Sequence, residues 1–494
     1  MKFISTRGKD QAINSAMAIT KGLADDGGLF VPEFFPTVSF DEINKLLDMN
    51  YAERACYVLH KYLEEYDYDK LLVACENAYS KFENDDAAPL VKIDENLFVM
   101  ELFHGPTLAF KDVALTLLPY LLRQGSIISG VNEEILVLVA TSGDTGKAAL
   151  EGLKDAEGVK IMVFYPSEGV SDMQKLQMRT QEGNNVNVVA VKGNFDDCQT
   201  AVKNIFSDKK INDDLRAQGV ILSSANSMNF GRLAPQITYY FSAYCDLVNS
   251  EQIKMGDKIN FVVPTGNFGN ILAGYYAKKM GLPIDKLVCA SNSNNVLTEF
   301  FAEGNYDANR EFFKTISPSM DILISSNLER LIFELSGRNA ELTADRMMKL
   351  KKTGEYKITA EEKAKLDKEF FADFVEEEDC METISDIFEE YGYLLDTHTA
   401  VAMNVAEGYI GEFEINNPTV VLSTASPYKF AQDVLKAVTG KAQNDAFKAA
   451  FLLNEYTAAP IPEQLLKLKE KEIRFSKIIE KTKTVDAVME FIKR

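Results

Sequence analysis

The sequence predicts an α/β protein with a mostly parallel sheet covered by helices. Three observations carry that expectation. Beyond about residue 90, short β-branched or apolar runs alternate with helical patterns, the order that builds parallel strands joined by helical crossovers. Two of those runs end in glycine-bearing turns that open a helix. The 494 residues, 46% hydrophobic and 10% aromatic, can bury more than one core, on the order of two to four domains by length.

Along the chain, residues 1 to 90 read as a small leading domain in which the turn "GLADDGGLFVPE" joins a hairpin-like segment to the helical stretch "FDEINKLLDMNYAERACYVLHKYL". The strand runs that follow are "NLFVMEL", "EILVLVA", "KIMVFYP", "NVNVVAV", "GVILSS" and "KINFVVP". Helical patterns fall between and beyond them, after Thr107, from Gly146, from Asp172 and after Pro264. Residues 340 to 390 are dense in charge and good helix formers, which predicts a solvated helical insertion. "TVVLSTASP" then returns to strand and loop.

A formal charge of −21 disfavours nucleic acid and anionic membranes, although local pockets can still hold a small anion. The six cysteines form no CxxC or Cys/His cluster, so a disulfide framework and a zinc site are both unsupported, and reduced thiols in a cytoplasmic protein are expected. The N-terminus lacks the apolar segment of a signal peptide, and the longest apolar run, near 113 to 122, is about half a membrane span. Only His60, His104 and His398 are present, with no HExxH or GxSxG, so no metal is expected.

Five segments are candidates for chemistry. Lys111, in "ELFHGPTLAFKD", stands where Thr107 would cap a helix and shares a face with Ala114, Leu115, Leu118 and Leu122. Either it snorkels to water, or it is a desolvated amine with a depressed pKa that attacks a carbonyl to form a Schiff base. In "PTGNFGN", 264 to 270, Gly266 and Gly269 shape a strand-to-helix turn whose N–H groups suit a phosphate. Its spacing is neither GxGxxG nor GxxxxGK[ST], which disfavours a dinucleotide site and a P-loop. "ATSGDTG", 140 to 146, is a second strand-to-helix turn, with the hydroxyls of Thr141, Ser142 and Thr145; it suits an anion or is a plain capping turn. "NSMNFGRLAPQ" brings amides and Arg232 to a helix start, and "STASPYKF" ends a late strand with Ser423, Thr424 and Ser426. Anion cradles at strand ends with a lysine on an apolar face fit an enzyme that holds a phosphorylated aldehyde, pyridoxal 5'-phosphate.

Nearly end to end, these segments resemble the threonine synthase family, within the tryptophan synthase β-like (fold type II) class of pyridoxal phosphate enzymes. The resemblance also takes in "STRG" at 5 to 8, "FYPSEGVSDMQKLQM" at 164 to 178, "SPSMDILISSNLER" at 317 to 330 and "DTHTAVA" at 396 to 402. It implies two open, mostly parallel sheets covered by helices. It also implies an N-terminal domain at 1–90, a smaller α/β domain at 91–240 and a larger one at 241–494 carrying the insertion. Lys111 is then the cofactor lysine and the catalytic residue. Gly266, Asn267, Phe268, Gly269 and Asn270 surround the cofactor phosphate. Thr424 faces the pyridine nitrogen, and Asp144 the ring-hydroxyl side. Thr141, Ser142, Gly143 and Thr145 receive the substrate carboxylate. For the substrate phosphate the choices are Asn226, Ser227 and Arg232, with Lys147 further off.

The implied activity is conversion of O-phospho-L-homoserine and water to L-threonine and phosphate by a monomer or weak dimer. An enzyme that stops at elimination, giving 2-oxobutyrate, and a non-catalytic protein of the same fold are the alternatives. The chain departs from the family in two places. Ser426 replaces the histidine of "STAHPAKF", which undercuts a general base there, and "NSINWAR" becomes "NSMNFGR", a change expected to alter pocket packing. His104 either faces the substrate or bonds to the turn at Gly105 and Pro106, with the turn favoured.

Overall fold

The structure, a computed structural model, describes residues 1–493 apart from Asp85, Ser142 and Gly169. Two parallel sheets form its frame. One has six strands in the order Phe370–Phe374, Ile284–Ser291, Ile259–Pro264, Thr419–Ser423, Leu97–Glu101 and Leu90–Asp94, all parallel except the last pair. The other has five, all parallel, in the order Ile478–Glu480, Val186–Lys192, Val159–Pro166, Glu134–Ala140 and Val220–Ser223. Every residue of Ile259–Pro264 is buried, which is why that strand reads as an unbroken apolar run: helices cover both faces of a parallel sheet. Each sheet draws strands from both sides of the division expected at 240, since Leu97–Glu101 joins the larger sheet and Ile478–Glu480 the smaller.

The leading segment folds as an antiparallel three-stranded sheet, Ile13–Asn14, Lys2–Ser5 and Phe30–Pro32, with helices. It is tied to the remainder by Glu329, which accepts from Thr6 Oγ1 at 2.6 Å and from Arg7 Nε and Nη2 at 2.9 and 2.8 Å. The buried Arg330 adds a second tie, donating to the Phe30 carbonyl at 3.0 Å. The expected insertion is helical over Ala340–Thr353, Ala360–Glu369 and Glu377–Tyr391 but is more than a solvated excursion. Its "FFADF" is the edge strand of the larger sheet, and Arg346 and Glu362 form a buried bidentate pair at 2.6 and 2.7 Å. Its high charge reflects the exposed faces of those helices; the apolar residues at helical spacing go inward.

The segment after Thr107 differs in one respect from a single capped helix. It forms two helices, Lys111–Leu115 and Leu118–Ile128. Pro119 in the first turn of the second has no N–H to give the Leu115 carbonyl, so the helix cannot run through. Helix Asp144–Leu153 crosses that carbonyl at Gly152, where any Cβ would strike it. Thr107 is not the cap: its hydroxyl donates to Asp112 Oδ1 at 2.5 Å and its N–H to Oδ2 at 2.8 Å. The expected face remains apolar, with Ala114, Leu115, Leu118 and Leu122 all fully buried.

Candidate active site

Apart from the edge strand Leu90–Asp94, the strands of the two large sheets run parallel, so their carboxyl ends lie along one edge of each, and every candidate segment follows such an end. Lys111 lies beyond Leu97–Glu101 and Thr424 directly after Thr419–Ser423. The two are locked together because residues 108–110 and 424–426 run antiparallel. Phe110 N donates to the Thr424 carbonyl at 2.9 Å, Ser426 N to the Leu108 carbonyl at 3.1 Å, and Ala109 bridges Ala425. Leu108 takes a left-handed φ of 61° to make this approach, a strain that the surrounding pairings hold in place.

Around the Lys111 amine, Asp144 Oδ2 lies at 3.5 Å and Ser319 Oγ at 3.4 Å, with the Phe110 ring 5.3 Å away. Burial pushes the amine below the ordinary lysine range. Asp144 pulls the other way, and the charges of Lys429 and Arg232 reinforce the lowering. The lysine is therefore a desolvated amine and not a snorkelling one. Asp144 is itself buried, yet the charges of Lys429 and Lys111 and hydrogen bonds from Lys429 and Gln174 hold its carboxyl well below the usual range. Its Oδ1 is 2.7 Å from Lys429 Nζ and accepts from Gln174 Nε2 at 2.9 Å.

Ser319 links this cluster to the glycine turn. Its carbonyl stands so near Gly266 that a Cβ there would come within 2.8 Å of it. Its N–H donates to His398 Nε2 at 3.1 Å, which leaves the proton on Nδ1 to be donated to Asp396 Oδ1 at 3.0 Å. The turn opens helix Gly269–Met280, and Phe268 adopts the left-handed conformation at φ 60° to reverse the chain. The segment 325–327 fixes it from outside: Ser325 Oγ donates to the Gly266 carbonyl at 2.7 Å, while Asn327 donates from N and Nδ2 to the Asn267 carbonyl at 3.1 and 3.0 Å. Asn270 Oδ1 accepts from Tyr239 and Tyr240 hydroxyls at 2.5 and 3.0 Å, so its orientation is set and its buried Nδ2 has no partner.

Of the remaining candidates, Ser227 adjoins the turn, accepting from Asn327 Nδ2 at 2.9 Å. Arg232 is buried, its pKa lowered to about 10 by burial; one nitrogen donates to the Ala225 carbonyl at 2.5 Å and its Nε is unpartnered. Asn226 Oδ1 is likewise buried and unpartnered. Thr141 spends its hydroxyl accepting from the N–H groups of Gly143 and Gly146 at 3.0 and 2.9 Å, so it shapes the turn. Thr145 lies in the first turn of Asp144–Leu153, and Ser142 lies outside the described residues.

Lys147 faces elsewhere, donating to Glu151 at 2.9 Å and Gln181 at 2.5 Å. His104 does not spend its ring on the turn at Gly105 and Pro106: its Nε2 meets Glu101 Oε2 at 2.7 Å, a carboxylate that also accepts from the Tyr393 hydroxyl. Phe230, the altered aromatic, packs on Phe3 and Tyr62, with ring centroids 4.6 and 5.5 Å away, and so faces the leading domain and not the pocket. Ser426 accepts from Tyr428 N and caps the short turn Pro427–Phe430, which carries Lys429. Ser319, Asn327, Gln174 and Lys429 were singled out by no spacing or charge pattern.

This donor set fits a phosphorylated aldehyde. A buried amine of lowered pKa, a helix N-terminus behind a glycine turn, and two buried N–H donors without partners at Asn270 and Arg232 are what an aldehyde and anionic groups require. Among the described residues no group of three or more His, Cys, Asp or Glu side chains is placed to hold a metal ion. No helix there is long and apolar enough to cross a membrane.

Three family models cover most of the chain: "Threonine synthase N terminus" over residues 2–79, "Pyridoxal-phosphate dependent enzyme" over 86–353 and "Threonine synthase, C-terminal" over 399–492. Threonine synthase from Pseudomonas aeruginosa is 38% identical over 474 residues, 95% of this chain and 97% of its own length. Threonine synthase-like 1 of mouse is 42% identical over 469 residues, but this chain spans only 62% of its length. The crystal structure of PLP-bound threonine synthase from Brucella melitensis superposes with a TM-score of 0.88 at 37% identity, covering 100% of this chain and 99% of the other.

Proposed function

Since this chain belongs to the threonine synthase family of pyridoxal-phosphate-dependent enzymes, we propose that it converts O-phospho-L-homoserine and water to L-threonine and inorganic phosphate. The observation that carries the reading is a buried amine, Lys111, joined through Ser319 to a glycine turn at a helix N-terminus. Bound pyridoxal phosphate supplies an aldehyde for amines to condense with and a ring that takes up the electron pair left when a proton leaves the substrate's α-carbon.

The protein's residues supply the rest. The N–H groups from Gly266 to Asn270, with Asn270 Nδ2, bind the cofactor phosphate at the positive end of helix Gly269–Met280. Lys111 Nζ, its pKa lowered by burial, takes the proton from the α-carbon and carries a proton at the β-carbon. With the cofactor bound, the Thr424 hydroxyl would be a neutral partner for the ring nitrogen and would not force it to stay protonated. The first turn of Asp144–Leu153 receives the substrate carboxylate, and Arg232 Nε, buried and unpartnered, reaches for the substrate phosphate. These local donors work against the net charge of −21, which repels a dianionic substrate at long range.

Turnover of O-phospho-L-homoserine with threonine, phosphate and 2-oxobutyrate quantified together tests the proposal. Equal amounts of threonine and phosphate are expected; 2-oxobutyrate and phosphate without threonine would sink it in favour of simple elimination.

A further inference from the structure

The sequence singles out Lys111 as the lysine of the site, but the structure buries a second one against the same carboxylate. Lys429 is as well buried as Asp144, and its Nζ is 2.7 Å from Asp144 Oδ1 and donates to the Thr107 carbonyl at 3.0 Å. Lys111 meets the other oxygen of Asp144 only at 3.5 Å. Asp144 therefore has a close cationic partner that is not the reactive amine.

We propose that Lys429 is a positioning residue: it is the counter-ion of Asp144, and by holding that carboxylate it keeps Asp144 from closing an ion pair with Lys111. A buried carboxylate needs a cation, and only when one is supplied elsewhere can a neighbouring amine remain uncharged beside it. With Lys429 gone, Lys111 is the next cation within reach of Asp144, and a side-chain shift smaller than 1 Å closes the pair. Loss of Lys429 also removes a like charge that disfavours the ammonium form of Lys111.

The other charged groups are accounted for. Arg232 faces Lys111 from helix Phe230–Asn249, but it donates to the Ala225 carbonyl and its buried Nε has no partner. Asp112, the neighbour of Lys111 in sequence, is closed by Thr107 N–H and hydroxyl, and burial raises its pKa. His398 accepts from the backbone N–H of Ser319 and is paired to Asp396. The inference deepens the proposed function, because it takes Lys111 as the reactive amine.

The test reads Lys111 directly. The full chain, freed of cofactor and checked for native circular dichroism, is labelled with acetic anhydride across pH, and acetylation of Lys111 is followed by mass spectrometry. Lys429→Met is expected to move the midpoint upward by about one unit or more, which slows labelling about tenfold below the midpoint. Lys429→Arg, which keeps the charge, restores the original profile. On an Asp144→Asn background the Lys429→Met shift is expected to shrink, because the pairing that drives it is gone. An unshifted profile overturns the proposal, and so does a shift equally large on that background. If Lys429→Met does not fold, Lys429→Gln is read in its place: an upward midpoint shift is expected, and an unshifted profile overturns the proposal. Labelling needs no turnover, so a chain that makes no threonine leaves this result standing or failing by itself.

Discussion

A lysine amine that leaves water loses the solvation that favours its charged form, and at Lys111 that loss outweighs the attraction of Asp144. Turnover should therefore fall as the pH drops through the lowered pKa of this amine, where it becomes charged. The same shift bears on stability. An unfolded lysine titrates near 10.5, so between the folded value and 10.5 the unfolded chain holds the extra proton. Burying this amine costs stability below that window, and the cost fades as the pH climbs through it. Lys111→Ala should abolish the visible absorbance of bound cofactor and cut turnover by about 10³-fold, in the range of a lost acid–base group; absorbance and steady-state kinetics check both. Arg232→Met should cost about 2 kcal/mol in kcat/KM, roughly thirtyfold, the worth of a charge-assisted hydrogen bond. Helical spacing made Lys111 stand out as a charge on an apolar face, while its role and that of Arg232 came from the family resemblance. Lys429 was not legible, because a lysine in a short polar turn looks like any surface lysine until the fold buries it against Asp144.

At the scale of elements, the glycine turn works because Ser319 can approach it. Gly266→Ala would put a methyl group 2.8 Å from the Ser319 carbonyl, so one segment must move. Cofactor affinity, measured by equilibrium dialysis, should fall by more than the global stability does. In helix Asp144–Leu153, Glu151 is held down to about 2 although burial opposes it, by the charge and hydrogen bond of Lys147 with help from Gln181. Its folded pKa lies below its ordinary value of 4.5, so its contribution is full above pH 4.5 and is lost as the pH falls toward about 2. Lys147→Met should flatten that part of the stability–pH curve in chemical denaturation. The strands at 97–101, 134–140, 159–166, 186–192 and 259–264 were legible as β-branched runs. Ile284–Ser291 was not singled out, since its first half, "IDKL", carries two charges. "FFADF" was lost inside a charged helical stretch, and Ile478–Glu480 is only three residues long.

Across the whole molecule, the leading segment reaches the site through three residues of one short stretch, 327 to 330. Asn327 holds the glycine turn, Glu329 takes Thr6 and Arg7, and Arg330 ties Asn327 Oδ1 to the Phe30 and Met228 carbonyls. Arg7→Ala leaves the buried Glu329 with Thr6 alone. The cost should be about 2 kcal/mol, below the range for a fully buried pair because Arg7 is partly exposed, and visible as a lower Tm and weaker cofactor retention. Sequence alone marked "STRG" only through a resemblance. Its partner lies more than 300 residues away, and no periodicity spans such a distance.

The strand Ile478–Glu480 has a consequence for how the chain is made. It completes the smaller sheet by pairing with Val186–Lys192, which leaves the ribosome roughly 290 residues earlier. At about 5–20 residues per second that neighbour waits roughly 15–60 s with one edge open, long enough for an unpaired strand to meet another nascent chain.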